Sequence, residues 1–351
     1  EKVELQVGSI ILSPGFECYD PSGLDRYGYG ILPNVVTSME FERILSASGP
    51  FEGHLARPSD RQEPKKIAWL QCIGSRDIRD DFHGYCSGVC CMYAIKEALV
   101  AREHAGGDLE TTIFFMDMRT HGKGYEQTYN RANNEEGVRF LRSRVHTIEP
   151  AGDTDDLKIM YADESGEIRS EIFQMAVLSV GLEINSELKQ FAERIGIDMD
   201  PDGFAAVSGF TPVETSRAGV YSCGAFTGPK DIPQTVMDAS AAASASSALL
   251  SAARNTLTSE KSWPDETPVS GKTPRIGVFV CHCGTNIGGV VDVPAVKSYA
   301  ETLPNVAFAA DNLFTCSQDT QEAIRKAIRD NRLNRVIVAA CTPRTHEPLF
   351  Q

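Results

Sequence analysis

The sequence predicts an α/β fold built on parallel sheets, and two observations lead to this prediction. Apolar, β-branched segments run into glycine-containing turns at 5–20, 172–185 and 218–231. Predicted strands also alternate with predicted helices, first from residue 65 and again from residue 275. Strands that alternate with helices usually pair in parallel, and such sheets bind ligands at their carboxyl edge.

The alternating block 65–171 is predicted to be a βαβ unit inserted into a first sheet. Its predicted elements are a strand at 65–72, a helix at 92–105, a strand at 109–118, a helix at 129–143 and two short strands, "LKIMYAD" and "EIRSEIF". The three glycine-terminated strands outside the block are predicted to share one parallel sheet with a ligand at its edge.

The domain boundaries follow from these elements. The first domain comprises 1–64 and 172–254, and the inserted nucleotide-binding-like unit comprises 65–171. The segment 255–274 is rich in Ser, Thr, Pro and charge, which is typical of a linker, and 275–351 is predicted to be a small parallel α/β domain. Both chain ends are expected to be cut from a longer protein, because the chain lacks an initiator Met and stops just after an apolar strand.

Composition excludes several classes of function. The 351 residues carry a formal net charge of -14, which argues against a nucleic-acid partner because such binding needs clustered Lys and Arg. The longest apolar runs fall short of the roughly 20 residues that cross a bilayer, so no membrane span is predicted. The sequence has no G-x-S-x-G or H-E-x-x-H motif that would support hydrolysis.

The 10 cysteines indicate a metalloprotein in a reducing cytoplasm. Adjacent or nearly adjacent thiols, as in Cys90-Cys91 and Cys281-His282-Cys283, seldom suit separate disulfides, whereas thiolates crowded around a metal centre are expected in that compartment. Cys18 and Cys223 fit neither group of cysteines and are predicted to be packing residues.

The first cysteine set lies where the first strand of the inserted unit leads into a helix. Cys72 ends that strand, and Cys86, Cys90 and Cys91 stand at the start of the helix. Free N–H groups and the positive end of a helix favour an anionic, thiolate-ligated cluster. A [4Fe-4S] cluster is the preferred occupant; the alternatives are zinc, although paired C-x2-C knuckles are missing, and unliganded buried cysteines.

The second cysteine set comprises Cys281, Cys283, Cys316 and Cys341 in the last domain. Each residue lies at or just beyond the end of one of three successive predicted strands. Because parallel strands end at one edge, the four thiols are expected to meet there and to bind a second [4Fe-4S] cluster. The alternative is again a set of packing cysteines, since C-x-C is less specific than repeated C-x2-C.

Several segments together resemble the A-type subunit of heterodisulfide reductase. They are "WLQCIGSRD", "YCSGVCCMYAIKEA", "MRTHGKGYEQTYNRA", "GVYSCGAFTGPKDIPQTVMDASAAA", "VCHCGTNIGGVVDV" and "AACTPRTHEPLFQ", and the resemblance covers almost the whole chain. It implies a thioredoxin-reductase-like flavin domain, FAD and iron-sulfur cofactors, and flavin-based electron bifurcation within a cytoplasmic complex.

The order of the modules differs from the usual order in that family. The cysteine-containing segment that resembles 275–351 ordinarily precedes the flavin domain, whereas here it follows. The resemblance therefore implies an internal fragment of a tandem fusion. The glycine-rich turn that grips the FAD pyrophosphate would lie upstream of Glu1, so the N-terminal half of the flavin domain would be missing.

The resemblance also assigns part of a flavin site. Gly15 and Gly181 end strands where a side chain would collide with the cofactor, and Gly224 allows close approach of the backbone. The family usually has Asp after the last of these glycines to bind the flavin chain, but this sequence has Ala225.

The resemblance further implies that a helix begins against the flavin. The N–H groups of Gln234, Thr235 and Val236 would face the flavin pyrimidine and stabilise the reduced ring. Lys96, five residues after Cys91, is predicted to point from the cluster toward the flavin, with a solvated lysine as the alternative. The loop "RTHGKGYEQ" is expected to contact the flavin or a partner subunit, or to be an ordinary surface loop.

The predicted function is electron transfer, in which FAD passes electrons singly to [4Fe-4S] clusters. The expected partners are other subunits of a heterodisulfide-reductase-like or hydrogenase/dehydrogenase complex, and a homodimer is a further option. Three alternatives stay open: a flavin subunit of a quinone-interacting complex, a thioredoxin-reductase-like disulfide oxidoreductase with a C-x3-C pair, and a zinc-stapled scaffold without catalysis.

Overall fold

The computed structural model describes residues 3–79, 82–106, 108–259 and 268–350. The chain divides into two compact units. The first comprises Glu1–Glu42 and Leu55–Ser259, and the second comprises Arg43–His54 and Glu260–Gln351. The predicted linker at 255–274 falls at this division, and its residues 260–267 lie outside the described part of the chain.

Helices and strands follow in chain order. The strands up to residue 222 are β1 (Ile10–Leu12), β2 (Glu17–Cys18), β3 (Val35–Thr37), β4 (Lys66–Ile73), β5 (Glu110–Phe115), β6 (Arg139–Arg142), β7 (Thr147–Pro150), β8 (Leu157–Ala162), β9 (Ile168–Phe173), β10 (Met175–Val180), β11 (Leu182–Glu183) and β12 (Val220–Ser222). The α-helices up to residue 249 are α1 (Ser38–Leu45), α2 (Cys90–His104), α3 (Tyr125–Asn134), α4 (Ser186–Ile195) and α5 (Ile232–Leu249). The later elements are β13 (Ile276–Cys281), α6 (Val293–Glu301), β14 (Val306–Asn312), α7 (Gln318–Asp330), β15 (Arg335–Ala339) and α8 (Pro343–Phe350).

A five-stranded parallel sheet with the order β3-β10-β4-β5-β6 dominates the first unit. Its strand β4 alternates between two buried faces, as a strand with a period of two residues must. Trp69 faces α2, where its indole N–H donates to Glu97 at 2.8 Å. Leu70 faces the other way and packs in one core cluster with Ile159 and Phe173 of the antiparallel sheet β7-β8-β9.

The prediction that three glycine-terminated strands share one sheet is wrong. β10 lies between β3 and β4 in the five-stranded sheet, while β1 and β12 pair with each other in a separate two-stranded parallel sheet. The physical reason is that all six residues of β10 are buried, and a strand buried on both faces belongs in the interior of a parallel sheet. The inserted unit therefore shares its sheet with segments on both sides of 65–171.

The predicted helix at 129–143 is also wrong in its second half. The helix α3 ends at Asn134, and strand β6 follows at the edge of the five-stranded sheet. Gly137, at φ +69, turns the chain between them in a left-handed conformation that suits glycine. The other predicted strands and helices of this block correspond to β4, α2, β5, β8 and β9.

The second unit confirms the predicted parallel α/β arrangement. Its sheet has the order β14-β13-β15, and both pairings are parallel. Alternate residues of β13 pack against different helices: Val278 and Val280 cluster with Val293 of α6, and Phe279 clusters with Ile324 of α7. Nowhere in the described ranges is a helix long and apolar enough to cross a membrane.

Gly181, between β10 and β11, is packed tightly by its own chain. A Cβ at this position would lie 2.3 Å from the Ser75 hydroxyl oxygen and 2.9 Å from that of Ser87. These two hydroxyls are buried and hydrogen bonded to each other at 3.1 Å. A side chain at Gly181 would therefore collide with Ser75 and Ser87 of this chain, whereas the predicted collision was with a cofactor.

We expect Gly181→Ala to lower the free energy of unfolding by about 1 to 3 kcal/mol, because the added methyl group overpacks a buried hydroxyl pair. The measurement is urea denaturation followed by fluorescence, to which the fully buried Trp69 contributes. Gly209→Ala is the matched control, since its Cβ would meet no atom within 4 Å and its change should stay within about 0.5 kcal/mol. Equal effects of the two substitutions would contradict this packing explanation.

Candidate metal centres and cofactor site

The backbone at the end of β4 aims the Cys72 thiol. The pairing of β4 with β10 shifts register here, since Leu70 pairs with Leu178 but Ile73 pairs with Val180. Two residues of β4 thus oppose one of β10, which is the arrangement of a β-bulge and redirects a side chain. Cys72 itself has φ +61, a left-handed conformation that costs a non-glycine residue about 1 to 2 kcal/mol.

The start of α2 brings three more thiols to the same edge of the sheet. Gly88, at φ +71, turns the chain between Cys86 and the helix, and its N–H donates to Cys86 Sγ at 3.4 Å. The N-cap residue Val89 makes no side-chain cap, so the helix opens without the usual polar partner for its N–H groups. Cys90 and Cys91 are the first two residues of the helix and both are buried.

The four thiols of this first set influence one another electrostatically, which places them together. Burial, partly offset by a hydrogen bond with Tyr93, raises the pKa of Cys90 to about 12, with smaller contributions from the other three thiols. Burial likewise raises the pKa of Cys91 to about 11, to which Cys72 and Cys86 contribute. The sequence prediction grouped these four residues, and the structure brings them to one place.

Two arginines and an aspartate border the first set. The Arg76 guanidinium interacts with the Cys72 thiol, and Arg119 interacts with Cys86 through its side chain and with Cys91 through its backbone N–H. Asp117 forms ion pairs with both arginines, at 3.2 Å to Arg119 Nε. The sequence analysis did not identify these residues. For Asp117 and Arg119 there was a signal, because the segment "DMR" follows β5 and so reaches the same edge of the sheet as Cys72.

The second set also converges. Cys281 ends β13, Cys316 precedes α7, and Cys341 follows β15, so the carboxyl edge of one parallel sheet gathers them. Burial raises the pKa of Cys283, and the thiols of Cys281, Cys341 and Cys316 raise it further. The set is more open than the first, because Cys316 and Cys341 are exposed.

A buried donor beside the second set lacks a partner within the described part of the chain. It is the side-chain amide nitrogen of Asn312, whereas the fully buried Thr315 hydroxyl lies against the Cys281 thiol. Burial opposes ionisation of Cys281, but its neighbours Thr315 and Cys283 hold the pKa of that thiol below its usual value. An anionic thiolate-ligated group would use such donors, which fits the predicted chemistry.

Neither cysteine set is arranged for a single ion. Within the ranges that the structure describes, no three His, Cys, Asp or Glu side chains converge closely enough to hold one metal ion. A tetrahedral zinc with Zn–S bonds of about 2.3 Å needs its sulfurs close to one another. A cubane iron-sulfur cluster is a larger group, with one thiolate at each of four irons, and the donor chemistry of both sets suits it.

Two of the three glycines predicted to adjoin a flavin lie just beyond the ends of β1 and β12. Gly15 has φ +83, and a Cβ there would meet no atom within 4 Å. Gly224 has φ +71, and a Cβ there would lie 3.3 Å from the Thr235 methyl group, so this turn touches the first turns of α5. Gly15 thus borders open space, as a cofactor site requires. The turn at Gly224 contacts the first turns of α5.

The N–H groups predicted to face the flavin are already in use. Asp231 caps α5: its carboxylate accepts from the Gln234 N–H at 2.9 Å, and its carbonyl accepts from the Thr235 N–H at 2.9 Å. Val236 lies in the second turn of α5, where N–H groups normally bond within the helix. A flavin at this helix end would therefore share its donors with the cap.

The first cysteine set lies close to the start of α5. A Cβ on Gly88 would lie 3.9 Å from the Pro229 carbonyl oxygen, which places the turn before α2 beside the turn before α5.

The Tyr125 hydroxyl donates to the second carboxylate oxygen of Asp231 at 3.1 Å. His121, in the loop that precedes α3, and Glu126, in the first turn of α3, line a cavity of 490 Å³.

Lys96 lies on α2 and is exposed. Its ammonium group forms an ion pair with Glu42 at 2.9 Å, and 61% of its side chain is accessible. The role of Lys96 near a flavin stays a prediction.

We expect the substitutions of Cys72 to reveal the strain at the end of β4. In a strand, Gly normally destabilises by about 0.5 to 1 kcal/mol relative to Ala. At φ +61 the order should reverse, with Cys72→Gly more stable than Cys72→Ala by about 1 kcal/mol, as measured by urea denaturation of the metal-free protein.

Cys18 provides the matched control pair, because it lies in β2 and has no positive φ. Cys18→Ala should be at least as stable as Cys18→Gly. The same order of Ala and Gly at both positions would show that Cys72 is not strained.

Comparison with known proteins identifies relatives by sequence. No family model matches the chain. The chain is 41% identical over 255 residues to an A-type "CoB--CoM heterodisulfide reductase iron-sulfur subunit" of Methanopyrus kandleri, covering 72% of this chain and 39% of the relative. It is 40% identical over 248 residues to the corresponding iron-sulfur subunit of Methanocaldococcus jannaschii, covering 70% of this chain and 37% of the relative.

Solved structures give a weaker likeness. A thioredoxin reductase of T. acidophilum has a TM-score of 0.43 at 17% identity, covering 68% of this chain and 65% of the other. That of Lactococcus lactis has a TM-score of 0.44 at 19% identity, covering 70% and 66%. The chain spans about two fifths of the length of the sequence relatives it matches. Over about 70% of its own length, this chain is homologous to the A-type iron-sulfur subunit of the heterodisulfide reductases.

Proposed function

We propose that this chain is an electron-transfer part of a heterodisulfide-reductase-like oxidoreductase. Its first cysteine set would hold one [4Fe-4S] cluster, its second set would hold another, and FAD would lie against Gly15, Gly224 and the start of α5. FAD supplies two-electron chemistry, and the clusters accept single electrons. The names of the relatives, which are iron-sulfur subunits, support this assignment.

The observation that carries the proposal is the convergence of Cys72, Cys86, Cys90 and Cys91 at one edge of the sheet. A bulged, left-handed backbone at Cys72 and an uncapped helix start at Cys90 are both unfavourable for the bare chain. Local strain that persists in this way is typical of functional sites, and a thiolate-ligated cluster would offset it by bonding to the thiols and neutralising the orphan donors.

The disulfide oxidoreductase alternative is less well supported by the surroundings of these thiols. A dithiol that attacks a substrate needs a lowered pKa and access to solvent. Burial instead raises the pKa of Cys90 to about 12 and that of Cys91 to about 11, and both residues are buried. Iron would favour the thiolate form directly, because metal binding displaces the thiol proton.

The closeness of the two helix starts supports electron transfer between flavin and cluster. Gly88, before α2, and Pro229, before α5, are neighbours, so groups held at these two ends would lie near each other. Asp231 links the same region to Tyr125 through a hydrogen bond of 3.1 Å. The chain's own part is to fix this separation and to exclude water from the buried thiols.

We further propose that the chain works in a cytoplasmic complex with other redox subunits and that the complex couples its electron flow by flavin-based bifurcation. The relatives are named as subunits, and one of them, from Methanococcus maripaludis, is named as part of an "H(2)/formate:CoB-CoM heterodisulfide,ferredoxin reductase". Such a name joins two different electron acceptors in one enzyme.

The decisive test is the iron, zinc and acid-labile sulfide content of anaerobically prepared protein, together with its flavin content and visible spectrum. We expect iron and sulfide sufficient for two four-iron clusters. Cys86→Ala should remove about one cluster's iron, because loss of a thiolate ligand destabilises a cluster, whereas Cys18→Ala should remove none. Zinc without sulfide, or full iron in Cys86→Ala, would overturn the assignment of the first set.

Lys96 offers a test of the flavin's position. If the predicted role holds, Lys96→Met should lower the midpoint potential of the bound flavin, because a nearby cation stabilises the negatively charged reduced ring. Lys189→Met on α4 is the control, since it removes the same charge elsewhere. Equal flavin potentials in the two variants would assign Lys96 to the solvated surface.

A further inference from the structure

An ion triad, Arg76-Asp117-Arg119, lies against the first cysteine set without a role in the function proposed so far. Asp117 pairs with both arginines. Its backbone carbonyl also lies 3.9 Å from Cys91 Sγ. The triad follows the ends of β4 and β5, two neighbouring strands of the same sheet. It is therefore fixed by the same framework that fixes Cys72.

The arginines are aimed at the thiols by an unusual backbone. Arg76 has φ +56, a conformation that a bulky residue rarely adopts, and it lies four residues after Cys72 at φ +61. Its backbone N–H is held by the Tyr85 carbonyl at 3.0 Å. Only 22% of its side chain is exposed. A residue that served only solubility would not need this strained and partly buried position.

The contacts of the two arginines reach three of the four thiols, since the Arg119 backbone N–H interacts with Cys91. Arg76 interacts with Cys72, and the Arg119 side chain interacts with Cys86. Asp117 cannot approach the thiols as a free anion, because both of its carboxylate oxygens are paired. The triad thus presents one net positive charge and guanidinium N–H groups to the sulfurs.

We infer that Arg76 and Arg119 raise the reduction potential of the cluster in the first set, acting as positioning residues through its sulfur ligands. A cluster that takes up one electron gains one negative charge, and that charge spreads onto the ligand sulfurs. Hydrogen bonds and positive charge at the sulfurs stabilise the reduced form more than the oxidised form. Asp117 limits this effect, because it cancels one of the two positive charges. The inference rests on the proposed iron-sulfur site.

The test is a redox titration of the cluster's electron paramagnetic resonance signal in the whole chain, with dithionite as reductant. At a fixed ambient potential, Arg76→Gln/Arg119→Gln should lower the reduced-to-oxidised ratio by about tenfold, which is 59 mV for one electron. Asp117→Asn should change the ratio in the opposite direction, because it removes a negative charge. Arg119→Lys, which keeps its charge, should change the ratio less than Arg119→Gln.

A second triad in the same unit provides the matched control. Asp77 pairs with Arg79 at 2.5 Å and with Arg144 at 2.9 Å, and neither arginine interacts with a thiol among the contacts of the described residues. Arg79→Gln should therefore leave the ratio within about twofold of the unsubstituted protein, because its exposed charge is screened by solvent.

The outcomes separate this inference from the function on which it rests. Full iron with an unchanged potential in Arg76→Gln/Arg119→Gln overturns the inference alone. Shifts of equal size in Arg79→Gln overturn it too, since the effect would then be one of overall charge. If the double variant loses iron, the single variants test the inference instead. The reduction potential of the cluster should then fall in Arg119→Gln and rise in Asp117→Asn, and the absence of these opposite shifts overturns the inference. Full iron in Cys86→Ala overturns the proposed site itself.

Discussion

The backbone at the end of β4 is the constraint on which the rest of the candidate site depends. The bulge opposite Ser179 and the left-handed φ at Cys72 turn this thiol toward the start of α2. A regular strand would send alternate side chains to the two faces of the sheet, where the core is already filled. The irregularity instead releases one thiol at the edge, where Cys86, Cys90 and Cys91 meet it. β4 is paired on both sides, and dense packing of Trp69 and Leu70 gives the strand little freedom to relax, so the sheet supports this costly conformation.

The two cysteine sets use the same topological rule in different environments. Both gather thiols at the carboxyl edge of a parallel sheet, one at the end of β4 and the start of α2 and the other beyond β13 and β15. The first set is largely buried and bordered by arginines, whereas the second has two exposed thiols and, among the described residues, a buried and unpartnered amide nitrogen at Asn312. Burial, charge and hydrogen bonding set the potential of an iron-sulfur cluster, so clusters in these two environments would differ in potential.

The α/β class, both groups of four cysteines and most strand and helix positions are predictable from the sequence alone. These features depend on local patterns: apolar runs of strand length, glycine turns and the spacing of thiols. The sequence also indicated that the four thiols of the second set would lie together, because strand ends in a parallel sheet share an edge. The prediction for α3 failed beyond Asn134, where a glycine turn and an edge strand interrupt a helix-like pattern.

The pairing of the strands, in contrast, is visible only in the folded chain. β1, β10 and β12 look alike along the chain, but burial on both faces places β10 in the five-stranded sheet and leaves β1 with β12. The ion pairs of Arg76, Asp117 and Arg119 likewise depend on strand pairing, because these residues follow different strands and meet only when β4 and β5 pair. Strand pairing is a long-range choice made by total burial, and no local pattern encodes it.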